Sequence, residues 1–98
     1  MPQGNKSAPD EAVLERTLDF PCHYVLKVFG PATQTFEDQV MARAESQLGA
    51  NRVRLEGIKK TRSGDRMSLS VGFEASNPAE IVGIYERIAT CPGLITMI

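Results

Sequence analysis

From His23 to Ile98 the spacing of apolar residues switches between two and about 3.6, in the order strand, helix, strand, strand, helix, strand. That order limits the fold more than any single motif does. In HYVLKVF, Tyr24, Leu26 and Val28 fall on one side of an extended chain, and His23, Val25, Lys27 and Phe29 on the other. Gly30-Pro31 then closes the run. A helix follows with an apolar stripe of Phe36, Val40, Ala44 and Leu48, helped by Met41. Thr35 is its predicted N-cap, Asp38 lies three residues on, and Gly49 is its stop. Val53 and Leu55 alternate with Arg54 and Glu56 until Gly57-Ile58 breaks the register, which predicts a bulge. After the turn residues Ser63, Gly64 and Asp65, the residues Met67, Leu69, Val71 and Phe73 alternate with Ser68, Ser70 and Gly72, completing a hairpin. Asn77, Pro78 and Glu80 are the cap, first position and capping-box acid of a second helix. Its buried stripe is Ile81, Ile84, Tyr85 and Ile88, and Cys91-Pro92-Gly93 breaks it before the apolar LITMI.

Two split βαβ halves in this order predict an α+β, ferredoxin-like βαββαβ sandwich. Its four-stranded antiparallel sheet would carry two helices on one face and leave the other open. Ninety-eight residues, 42% of them hydrophobic, suffice for one such domain with a modest core. The domain is expected over residues 20–98. Ahead of it, residues 1–19 are expected to form a disordered arm, to about residue 9, and then a short helix. In that helix Val13, Leu14 and Leu18 sit at helical spacing behind Asp10 and Glu11.

The chain resembles the YbeD-like family of small bacterial proteins, whose function is unassigned. The resemblance runs from about Leu14 to the C-terminus. It rests on Phe20-Pro21, Lys27-Val28-Phe29-Gly30, Gly64, Ser68-Leu69-Ser70-Val71 and Ile84-Tyr85-Glu86, taken in their order and spacing. Arg62-Ser63-Gly64-Asp65-Arg66 departs from the family's hairpin, which carries a serine pair before the glycine and an aromatic after it. The resemblance implies a ferredoxin-like fold similar to ACT regulatory domains, and it supplies no catalytic residues.

Three classes of function are open to such a fold. The first is a regulatory or interaction module of ACT-like kind, binding a small ligand or a protein partner, or pairing with itself through the open sheet face or an edge. Val25 and Phe29 lie on that face by alternation, joined by Met97 or Ile95 from the last strand. The loop Gly30-Pro31-Ala32-Thr33 stands where ACT-like domains take ligands. The alternative is nucleic-acid binding through the basic hairpin over residues 52–66. It carries Arg52, Arg54, Lys59, Lys60, Arg62 and Arg66 against Glu56 and Asp65. Against it, base stacking needs aromatics on the central strands, and there only Phe29 faces outward beside Ser68, Ser70 and Gly72. Basic residues also protect edge strands in proteins that bind no nucleic acid.

The third class, an enzyme, is not expected. The Gly30–Thr35 loop has one glycine, a proline that removes an amide donor, and no arginine to cradle a phosphate. Cys22 and His23 are adjacent in an extended chain, so their side chains point to opposite faces and are badly placed to exchange a proton. The carboxylate pairs Asp10-Glu11 and Glu37-Asp38 lie at helix starts, where they serve the helix dipole. Two cysteines without a CxxC and a single histidine predict no metal site, and no cofactor is expected. A net charge of −1, a polar start and the lack of any long apolar run predict a soluble cytoplasmic protein with no membrane span.

Overall fold

The structure, a computed structural model, describes residues 8–98. Most of the expected disordered arm therefore lies outside the described residues. Ala8, the first of them, packs against the core.

The alternation read in HYVLKVF is realised in β1 (Cys22–Pro31), where Leu26 and Val28 are fully buried and Val25 is 40% exposed. The strand ends at Pro31, opposite Arg66, within the Gly30-Pro31 pair that closes the run in the sequence, and Gly30, with no side chain, lies close against the helix beneath. β1 pairs antiparallel with β3 (Arg66–Ala75) on one side and with β4 (Thr96–Met97) on the other. β2 (Val53–Lys60) lies beyond β3, giving the order β2-β3-β1-β4. With α2 (Gln34–Leu48) between β1 and β2, and α3 (Pro78–Ile88) between β3 and β4, this is the ferredoxin-like sandwich. A third helix, α1 (Glu11–Thr17), packs against α3 and buries Leu14.

Leu26, Val28, Leu69, Val71 and Phe73 of the sheet meet Phe36, Val40 and Ala44 of α2 and Ile81, Ile84 and Ile88 of α3 in one apolar core. At its edge the hydroxyls of Tyr24 and Tyr85 lie 3.0 Å apart, and burial raises the Tyr85 phenol so that it stays neutral. Met97, expected on the open face, is instead 2% exposed within this core. It pairs with Val28 in the inward row, and Thr96 takes the outward place opposite Phe29.

The predicted bulge is present. Leu55 faces Val71 and Gly57 faces Ser70, so Glu56 is the extra residue. The cap of α2 lies two residues earlier than expected. Thr33, in extended backbone, accepts from the Phe36 amide at 3.1 Å, and Thr35 is already inside the helix. Asp38 bonds the Gln34 side chain rather than a cap. Gly49 ends α2 at φ 97, a conformation that glycine adopts without the clash a Cβ would bring.

The start of α3 agrees with its reading. Asn77 accepts from the Glu80 amide at 3.1 Å, and Glu80 reaches back to the Ser76 amide at 2.8 Å. Glu80 also holds Arg52 in a forked pair at 2.7 and 3.1 Å. Arg52 first, and the Ser76 amide after it, keep the Glu80 carboxyl below its usual range. A carboxyl whose folded pKa is depressed stabilises above its unfolded pKa, and that contribution is lost as pH falls through the folded value. Glu80→Gln keeps the capping bonds and removes the charge. It should lower stability at pH 7 by ~0.2–1 kcal/mol, at the modest scale of a partly exposed pair. In urea melts from pH 7 to pH 2 the gap should begin to close as the medium becomes more acidic than about pH 4 and be gone below the folded pKa. A gap that stayed constant to pH 2 would remove ionisation as its cause.

Candidate functional site

The open face of the sheet is not flat. Between Arg66 and Glu74 at its ends, the outward residues of β3 are Ser68, Ser70 and Gly72, all small, and they form the floor of a trough. β1 raises Val25, Lys27 and Phe29 along one wall, and β2 raises Arg54, Glu56 and Lys59 along the other. At the Gly72 end the bulge swings the Glu56 carboxylate across β3, where its Oε2 meets His23 Nε2 at 2.7 Å. Gly72 permits the crossing, because a Cβ there would collide with that carboxylate. The His23–Glu56 bridge closes this end of the trough.

The other end is open. There one row, Lys59–Ser68–Phe29–Thr96, runs across all four strands. Around it lies a groove of about 390 Å³, with carbon supplied by Phe29, Met67 and Ile95 and positive charge by Lys59, Lys60 and Arg66. Ile95 is 45% exposed. Thr96 Oγ1 is buried and has no hydrogen-bond partner among the described residues. Lys59 and Arg66 belong to the outward rows, while the register puts Lys60 in the row of Met67 and Gly30.

The groove thus merges two surfaces that the sequence presented separately. Phe29 and Gly30 of the expected ligand surface meet Lys59, Lys60 and Arg66 of the basic hairpin. The remaining expected residues lie elsewhere. Val25 is on the same face but opposite Gly72, near the bridged end. Pro31 packs beside Gly93, Thr33 caps α2, and Met97 is core. Arg54 stands at the Gly72 end and Arg62 in the hairpin turn, so the five cations of the hairpin are not one patch. Arg52 is taken up by Glu80. Thr96 was not among the expected residues; its signal, the register of the last strand, is absent from an almost uniformly apolar LITMI.

No dyad forms at Cys22-His23. Cys22 pairs with buried Ala75 on the helix side, and the partner of His23 is Glu56 on the open side. Cys91 is buried, and burial raises its thiol pKa, which disfavours the thiolate. Among the described residues no three His, Cys, Asp or Glu side chains come together as a metal site, and no helix is long and apolar enough to cross a membrane. A larger hollow of about 630 Å³ lies over α2 and α3, where its arginines are engaged by neighbouring side chains. Arg87 donates to Gln47 at 2.6 Å, and Arg43 to Thr90 at 3.1 Å. It is a polar seam between helices.

Comparison with known proteins agrees with the YbeD-like resemblance. The family model described as "Protein of unknown function (DUF493)" matches residues 15–98. A UPF0250 protein of Buchnera aphidicola subsp. Baizongia pistaciae is 29% identical over 76 residues, 78% of this chain and 84% of the relative. A UPF0250 protein of Idiomarina loihiensis is 25% identical over 75 residues, 76% of this chain and 83% of the relative. No solved structure gives a significant match.

Proposed function

The chain belongs to this family of proteins of unknown function, and we propose from its own surface that it is a non-catalytic regulatory or interaction module that binds a small ligand at the open-face groove. The observation that carries the reading is the convergence of Phe29, Ile95, Lys59 and Arg66 around small Ser68, on the sheet face that no helix among the described residues covers. Apolar walls with a few convergent polar groups are the usual make-up of a small-molecule site, and about 390 Å³ is at the small end of the ~300–1,000 Å³ such sites span. ACT-like ligand sensing in the cytoplasm is the biological form this would take.

The reading is tested by a thermal-shift screen of amino acids and other small metabolites, since a ligand that prefers the folded state raises its melting temperature. Phe29→Ser should abolish the shift of any hit and leave the ligand-free melting temperature within about 2 °C, because Phe29 lies on the open face and outside the buried core. Cys22→Ser and His23→Gln should leave the shift unchanged. Hits that survive Phe29→Ser and vanish in Cys22→Ser would replace this reading with a thiol-based one.

A further inference from the structure

We propose that the groove takes a small organic anion carrying a short apolar or aromatic body, with its charged head between Lys59 and Arg66 and its body on Phe29 and Ile95. This rests on the reading that the groove is the binding site and specifies what fills it. The first support is charge. Three cations and no carboxylate line the groove, and Lys59, Lys60 and Arg66 make no ion pair among the described residues. Asp65, in the adjoining turn, accepts from the hydroxyls of Thr61 and Ser63. In a chain of net charge −1 this is a local excess held at one end of one sheet face.

The second support is the row Lys59–Ser68–Phe29–Thr96. Ser68 is the short residue between a cation and an aromatic ring, so a ligand lying across the strands meets charge at one end and carbon at the other. Arg66, next to Ser68 on the outward side of β3, adds planar donors that suit a carboxylate or phosphate. A nucleic-acid strand fits this less well. Successive bases need successive aromatic platforms, and beyond Phe29 the trough offers Ser70 and Gly72 and is then closed by the His23–Glu56 bridge.

The test is a titration of the ¹⁵N-labelled chain with 3-phenylpropionate, phenyl phosphate, the neutral 3-phenylpropanol and inorganic phosphate, followed by amide shifts. Both aromatic anions should move the Phe29, Ser68 and Thr96 amides saturably. Phenylpropanol and inorganic phosphate should each bind at least roughly tenfold more weakly, one lacking the charge and the other the body. Lys59→Glu with Arg66→Glu should cost the anions roughly tenfold or more and leave phenylpropanol unchanged, with circular dichroism confirming the fold. Equal binding of phenylpropanol and phenylpropionate in the groove would overturn the anion and leave the groove standing. Shifts that miss the groove for every probe would overturn both. A short single-stranded oligonucleotide that displaces phenylpropionate, with steep salt dependence, would overturn the proposal in favour of nucleic acid.

Discussion

Leu26→Ala is expected to cost about 2–5 kcal/mol in urea unfolding, the range for removing a leucine from a packed core. Leu26 has no exposed surface, stands in the middle of β1 opposite Val71, and belongs to the core cluster that α2 and α3 cover. The cavity left there adds to the lost transfer energy, because sheet and helices that hold each other in place relax only partly. Val25, its neighbour on the other face, gives the internal control: Val25→Ala should cost well under ~1 kcal/mol, since its side chain keeps much of its contact with water. Equal losses at the two positions would contradict the assignment of inner and outer faces.

Gly30→Ala is expected to cost about 1–3 kcal/mol although it adds a single methyl group, the scale of overpacking a filled core. Gly30 is buried, and a Cβ built there would collide with the ring of Phe36, the first large core residue of α2. The cause is close approach and not backbone conformation, for φ at Gly30 is not positive. A double-mutant cycle separates the two: Phe36→Leu should recover part of the loss, with coupling of about 0.5 kcal/mol or more. Simple additivity would place the cost in the backbone of β1 instead.

What could be read from the residues and what could not divides along contact range. Alternation in HYVLKVF and in the stretch from Met67 to Phe73 assigns both central strands and their inner faces, because each residue's side follows from its neighbours two places away. The bulge at Gly57 and the cap at Asn77 are equally local. The cap of α2 was misplaced because Thr33 and Thr35 offer the same chemistry two residues apart, and only the backbone at Thr33 decides between them. Met97 faces the core against the expectation for a similar reason: Leu94, Ile95, Met97 and Ile98 are all apolar, so LITMI carries no alternation to show which residues face inward. The groove itself depends on register across four strands. Nothing near Phe29 in the chain indicates that Lys59 will stand in its row, or that Glu56 will cross β3 to His23.

The most direct measurement is amide shift mapping with a small fragment library, charged and neutral, because it asks where the molecule binds before asking what. If the open face is the working surface, fragments that bind should cluster their shifts on Phe29, Lys59, Ser68, Ile95 and Thr96. They should leave the seam of Arg43, Gln47, Gly83 and Arg87 between the helices unmoved. Shifts concentrated on that seam, with the Lys59–Ser68–Phe29–Thr96 row silent, would contradict it.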